Sequence, residues 1–173
     1  MLDKHPKMRV ILAHFFFLSR DIDEAVRVME TYPNVSFDLT PGWEMYVGFS
    51  SDIPSWQAFF RKYADRILFG TDSDNDKKMN AEIHLLVRMA LTHDESEFMM
   101  PCYREELIKG LNLDDDVLDK IFYKNFERFF GVQKEVNHDM LIKCAERVLD
   151  DMKRAGGCED RADYKWLCEL TSR

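Results

Sequence analysis

Three short apolar runs alternate with helical stripes along the first half of the chain. Arg9 to His14 reads as a strand, with Val10, Ile11, Leu12 and Ala13 apolar and His14 closing the run. Asp21 starts a helix with Glu24 three residues on, a capping-box arrangement. Ile22, Ala25, Val26 and Met29 then fall at the spacing of one buried helical face. Pro33-Asn34 breaks the chain. Val35 to Leu39 reads as a second strand, in which Phe37 and Leu39 alternate with Ser36, Asp38 and Thr40, so that one face is polar. Pro41-Gly42 turns the chain into an aromatic-rich loop from Trp43 to Asp52. Pro54 suits a first helical turn, and Trp56, Phe59, Phe60 and Tyr63 repeat the helical stripe. Ile67 to Phe69 has the length and apolarity of a strand buried on both faces, and the run ends in Gly70-Thr71-Asp72. This is two successive βαβ units, for which a right-handed parallel sheet is expected.

Beyond Asp72 the pattern turns helical. Ile83, Leu86, Val87, Ala90 and Leu91 share a face. Tyr103 to Lys109 reads as a short helix ended by Gly110. Asp114 caps a helix that points Val117, Leu118, Ile121 and Phe122 inward; Asn125 to Phe130 continues it or follows closely, and Gly131 stops it. A tail helix from about His138 to Arg154 is expected to bury Met140, Leu141, Cys144, Ala145, Val148 and Leu149, with Gly156-Gly157 ending it and a last short helix over Asp163 to Leu170. This divides the chain into residues 1–131 and a helical extension, 132–173. Three strands are too few for a closed barrel, which needs about eight, and they leave two sheet edges to be covered.

Composition narrows the function classes. The 173 residues, 46% hydrophobic with 13 Phe and 10 Met, can fill a core. A net charge of −8 argues against a nucleic-acid backbone as partner. No apolar run reaches membrane-span length, and the first residues form no signal peptide. Cys102, Cys144, Cys158 and Cys168 form no C-x-x-C pair and read as reduced thiols, which fits the cytoplasm.

The chemistry sits at strand ends. His14 closes the first strand and Asp72 the third, where parallel α/β sheets bind ligands. Together they suit a divalent metal, or a base with its orienting acid. Asp38 shares a strand face with Ser36 and Thr40 and points toward the same place, with Glu44 and Tyr46 in the loop that follows. Each has a plain structural alternative: a capping Asp72, a hydrogen-bonded His14. Asp72-x-Asp74-x-Asp76 is no EF-hand, since Lys77 and Ile83 stand where that loop needs Gly and Glu. His5, His84, His93 and His138 read as surface residues, and Cys102 has no base beside it.

Four segments carry a resemblance. They are Pro6-Lys7-Met8-Arg9-Val10-Ile11-Leu12-Ala13-His14, Asn34-Val35-Ser36-Phe37-Asp38-Leu39, Asp65-Arg66-Ile67-Leu68-Phe69-Gly70-Thr71-Asp72 and Lys120 to Gly131. In that order they resemble the last three strands and closing helix of amidohydrolase-family metal-dependent hydrolases, in the aminocarboxymuconate-semialdehyde decarboxylase-like branch. The resemblance implies the C-terminal portion of a TIM-like (β/α)8 barrel. It also implies a divalent metal, zinc by family habit, held in part by Asp72 and by His14, the latter binding metal or acting in acid-base catalysis. Asp72 would accept a proton from the attacking water, and the substrate would be a small molecule. Asp38 and Glu44, from their places on and after the second strand rather than from the resemblance, are expected near that substrate or behind the groups that touch it. The reaction would be hydrolysis, or metal-assisted decarboxylation.

The sequence also departs from that family. It has no His-x-His pair, and Phe15-Phe16-Phe17 replaces the glycines that often follow the sixth-strand histidine. The chain is therefore expected to hold metal weakly by itself, and to be part of a longer enzyme. It is also expected to self-associate, or to pair with a missing N-terminal barrel half, because Val10, Leu12 and Leu68 would face inward without an opposite wall. Two rival readings are a non-catalytic remnant acting as a structural or binding module, and a phosphatase with Asp72 as nucleophile. The second resembles haloacid-dehalogenase-type enzymes, although Asp76 stands where they carry a hydroxyl residue.

Overall fold

The computed structural model describes residues 2–42, 44–73, 77–94, 97–99, 106–132, 135, 137–156 and 161–172. Two compact units divide the chain, Met1–Val132 and Gln133–Arg173.

The first unit is built on three parallel strands, β1 (Val10–Leu12), β2 (Val35–Asp38) and β3 (Ile67–Leu68), in the order β1-β2-β3. Helix α1 (Ile22–Thr31) joins the first two, while α2 (Met45–Ser50) and α3 (Ile53–Lys62) join the second and third. The parallel sheet expected from the alternation is present. Residues 45–50, expected as loop, are helical; Tyr46 anchors that turn by donating its hydroxyl to Leu39 O at 2.7 Å. Trp43 lies outside the described residues.

Local signals explain where these helices start. Asp21 accepts from Glu24 N at 3.0 Å, but the expected capping box is only half made, because Glu24 turns to Arg27 instead. Asp52 caps α3 by accepting from Ser55 N at 3.3 Å, with Pro54 in the first turn. The C-terminal end of α1 is held by Arg66, whose guanidinium donates to Met29 O at 2.7 Å and Tyr32 O at 3.0 Å.

Register assigns the two sheet faces. Val10 pairs with Val35, Leu12 with Phe37, and Phe37 with Ile67. Paired residues of a parallel sheet point the same way, and Phe37 lies in the core under the helices, so Val10 and Leu12 face the helix layer too. This corrects the expectation that they face inward. The opposite face carries Ile11, Ser36, Asp38 and Leu68, and of these Ser36 and Leu68 are buried.

The core between sheet and helices is aromatic. Trp56, Phe59, Phe60 and Tyr63 bury their α3 stripe against Phe37, Phe49 and Phe15. Phe15 sits at the centre, with five rings within about 6 Å of its own: Phe37, Phe49, Trp56, Phe59 and Phe60. Edge-to-face and offset pairs of this kind add stabilisation beyond their buried area.

Helix α4 (Lys77–Thr92) buries Leu86, Val87, Ala90 and Leu91 as its stripe predicts. The helix expected over Tyr103 to Lys109 is corrected at its end. Leu107–Lys109 forms a strand, β5, antiparallel to β4 (Glu97–Met99), and residues 103–105 lie outside the described ones. Tertiary partners decide this. Ser50 Oγ accepts from Lys109 N at 2.8 Å, and the amides of Leu111 and Leu113 donate to Ala90 O and Leu91 O.

One helical rod follows: α5 (Asp115–Asp119), a π-helical turn over Lys120–Lys124, and α6 (Asn125–Phe130). Asp114 precedes it without a side-chain capping bond, because its carboxylate pairs with Arg61 at 2.8 Å. The π turn sits where Ile121 O accepts from Phe69 N at 3.0 Å. Asn125 Nδ2 donates to Ala64 O at 2.6 Å and to Ile67 O at 2.7 Å. The rod thus takes up polar groups along β3, an edge expected to be open.

The second unit is a helical pair, α7 (His138–Ala155) and α8 (Ala162–Thr171). Asn137 caps α7 by accepting from Met140 N at 3.0 Å. Of the stripe expected to be buried, only Ala145 and Leu149 are; Met140, Leu141, Cys144 and Val148 are exposed. The stripe spans a wider arc than one neighbouring helix covers. No described helix is long and apolar enough to cross a membrane.

Candidate functional site

The carboxyl ends of β1 and β2 are tied together by Asp38. Its Oδ1 accepts from His14 N at 3.3 Å, beyond β1, and from Thr40 N at 2.8 Å, beyond its own strand. Gly70, just after β3, lets the third strand approach. A Cβ there would lie 2.5 Å from Thr40 Oγ1 and 3.1 Å from Asp38 Oδ2. Asp38, expected beside the substrate, is first of all a positioning group with one oxygen committed to the backbone.

His14 does not close β1, as the apolar run suggested. The strand stops at Leu12, and His14 lies in a turn whose residues His14, Phe15, Phe16 and Phe17 have φ of +54°, +51°, +52° and +59°. A left-handed conformation costs an L-residue about 1–2 kcal/mol. Burial of Phe15 and the Asp38 bond hold the turn against that cost. The turn carries Phe15 into the core and leaves His14 half-buried at the sheet end. The imidazole stacks on Phe17 at 5.7 Å, and its Nδ1 is buried with no hydrogen-bond partner among the described residues. Phe16 and Phe17 are 53% and 65% exposed, which leaves two large aromatic side chains in solvent beside the histidine.

Glu44 comes to the same place. A Cβ built on Gly42 would lie 3.9 Å from His14 Cβ, 3.9 Å from the Phe17 ring and 4.0 Å from Glu44 Oε1. His14, Asp38 and Glu44 are therefore neighbours around the ends of β1 and β2.

Asp72 follows β3, the strand at the opposite edge of the sheet from β1. It is exposed, four residues past β3, with φ of +50°. Among the described residues no hydrogen bond or ion pair joins it to His14, Asp38 or Glu44. Asp74 and Asp76 lie outside the described residues. His84 reads from the sequence as a surface residue. It is exposed, but its Nε2 is 3.1 Å from Ser73 Oγ, which is 2.8 Å from Thr71 Oγ1, and its ring lies against Phe69. A histidine thus stands beside the loop that carries Asp72. The only sequence signal for it was its place on the helix that follows that loop.

The donor set is short for a metal. Among the described residues no group of three or more His, Cys, Asp or Glu side chains is arranged to hold an ion. His14 Nδ1 has no partner, yet one Asp38 oxygen is taken by two amides. The described residues do not form a complete metal site by themselves, since catalytic zinc commonly has three protein ligands.

No curated protein and no solved structure matches the chain. The sequence profile of the family described as Amidohydrolase, whose members generally use divalent metals, matches residues 1–132. That span takes in the whole parallel sheet with the residues at its carboxyl ends, and the chain belongs to the amidohydrolase family.

Proposed function

We propose that residues 1–131 form the C-terminal part of a (β/α)8 amidohydrolase barrel of the aminocarboxymuconate-semialdehyde decarboxylase-like branch, and residues 132–173 a helical extension. In this reading β1, β2 and β3 are its last three strands. His14 and Asp72 are this chain's share of the catalytic groups, and further ligands come from another segment or chain. The substrate is a small molecule, as the family implies. Hydrolysis and decarboxylation remain the two reactions open to such a site.

The observation that carries the reading is the His14 turn. A strained backbone places an imidazole with a free buried nitrogen at the carboxyl end of a parallel strand, bracketed by Asp38. Burial of Phe15 holds that turn, and the turn in consequence fixes where the imidazole is presented. His14 holds or moves a proton at Nδ1, Asp38 fixes its backbone, and Glu44 supplies a carboxylate beside it. Asp72 and His84 offer a second pair of polar groups at β3.

Zinc titration of the purified chain tests this. The expected result is weak binding, further reduced by His14→Ala and by Asp72→Asn. Stoichiometric zinc retained through purification would show the chain's own set to be complete. Binding indifferent to His14→Ala would remove His14 from the site. The non-catalytic reading draws on one observation, that Asp38 serves the backbone. It gains if neither substitution changes any metal or substrate response. Self-association is also part of the proposal, on the basis of exposed Phe16, Phe17, Phe126 and Phe130, and light scattering over a range of concentrations decides it.

A further inference from the structure

The opposite ends of the same strands enclose a different chemistry. Arg9 precedes β1, Asn34 precedes β2 and Arg66 precedes β3, while Ser36 and Leu68 point out of the sheet between them. With Asp65, Asn125, Arg128 and Phe129 of the helical rod they line a pocket of about 350 Å³. This lies at the small end of the range of ligand pockets, roughly 300–1,000 Å³.

The lining is cationic in a chain of net charge −8. Three guanidinium groups, Arg9, Arg66 and Arg128, face one carboxylate, Asp65, which leaves two positive charges in excess. Their states differ. Arg66 is spent on backbone carbonyls of Met29, Tyr32 and Val35. Arg128 touches Asn125 Oδ1 at 3.2 Å and Asp65 at 3.5 Å, and Asp65 is shared with Lys120 at 3.5 Å. Arg9 meets no carboxylate or carbonyl among the described residues. Its guanidinium lies 4.4 Å from the centre of the Phe129 ring. A ring face holds a guanidinium flat and leaves its N–H edge for an in-plane acceptor, the geometry in which arginine takes an oxyanion by two hydrogen bonds.

We propose that this pocket binds a small dianion through its phosphoryl or carboxylate oxygens, with Arg9 and Arg128 as the gripping groups and Arg66 as fixed background charge. Asn34 and Asn125 line the same space, but both are engaged: Asn34 Nδ2 donates to Pro6 O, and Asn125 holds Ala64 O and Ile67 O. The Ser36 hydroxyl supplies a further donor at the sheet. The site is separate from the His14 region. A purely structural Arg9, shielding Phe129 from water, is the alternative that the experiment must exclude.

The test uses the full 173-residue chain and two probes, inorganic phosphate and succinate, at constant ionic strength set with chloride. Thermal unfolding is followed against probe concentration, and Nε–Hε signals of the arginines are followed by NMR. A saturable rise in Tm is expected, with the Arg9 and Arg128 signals moving together. Tighter binding of phosphate assigns the site to phosphoryl ligands, and tighter binding of succinate assigns it to carboxylates. Arg9→Gln should weaken binding at least tenfold, Arg9→Lys should restore part of it, and Arg147→Gln, on the second unit, should leave it unchanged. The proposal is overturned by equal Tm shifts in Arg9→Gln and the parent chain. Should Arg9→Gln fail to fold, the parent spectrum still decides: probe-induced shifts at arginines other than Arg9 and Arg128, or none at all, overturn it.

Discussion

Phe15 is the residue on which the sheet end and the core depend together, and Phe15→Ala is the sharpest test of that dependence. The side chain is fully buried and meets five aromatic rings. Truncating a buried phenylalanine costs about 3–5 kcal/mol, from lost transfer energy and the cavity left behind. That is a large share of the ~5–15 kcal/mol that separates folded from unfolded domains. Phe16 provides the internal control. It shares the left-handed backbone, with φ of +52° against +51°, but is 53% exposed. Any backbone relaxation that follows truncation is therefore common to Phe15→Ala and Phe16→Ala, and their difference isolates the burial. Phe16→Ala should cost about 1 kcal/mol or less, as exposed substitutions commonly do. Urea unfolding followed by tryptophan fluorescence suits the comparison, because Trp56 lies 5.6 Å from the Phe15 ring. A loss below about 1.5 kcal/mol for Phe15→Ala, or equal losses for the two variants, would refute the claim that burial of Phe15 holds the turn.

Four further outcomes are expected. Asn125→Ala should lose about 2–3 kcal/mol in urea unfolding, because it strips the donor shared by the carbonyls of Ala64 and Ile67; a loss under about 1 kcal/mol would show that water replaces it. Ser19 is fully buried with its Oγ unpartnered among the described residues. Ser19→Ala should therefore leave stability unchanged or raise it by up to about 1 kcal/mol. Gly48→Ala should lower stability by about 1–3 kcal/mol, because the new Cβ would lie 2.5–2.9 Å from Ser19 atoms that include its backbone. Thermal melts rank the two, and the reverse order would contradict the packing. Hydrogen bonds from Lys62 and then Tyr63 hold the Glu30 carboxyl below its ordinary value of 4.5. A lowered folded-state value contributes stability that is present above the unfolded value and lost as pH falls through the folded one. The stability gap between the parent chain and Glu30→Gln should accordingly narrow in melts below pH 4.5; a constant gap would show that Glu30 contributes nothing through its charge.

The sequence alone determined the elements with long, regular patterns. The α3 stripe of Trp56, Phe59, Phe60 and Tyr63, the α4 stripe of Leu86, Val87, Ala90 and Leu91, and the strand-helix alternation are local, since each follows from side-chain period and chain length. Pro54 in the first turn of α3 and the stop at Gly131 are legible as equally local signals. Tertiary structure decided the rest. Leu107-Ile108-Lys109 is short enough to be helix or strand, and β4, Ser50 and the end of α4 made it a strand. Val10 and Leu12 look the same whichever sheet face they serve, and only the register with Val35 and Phe37 assigns them to the helix layer. Asp38 reads as a site carboxylate until the amides of His14 and Thr40 are seen to claim its Oδ1. The place of His14 after an apolar run is legible, but the left-handed turn in which it lies is not. Three phenylalanines carry no local preference for positive φ, and the conformation exists because the core takes Phe15. The pocket of arginines was equally out of reach, because Arg9, Arg66 and Arg128 are far apart in the chain and meet only through the parallel order of the strands and the rod beside them.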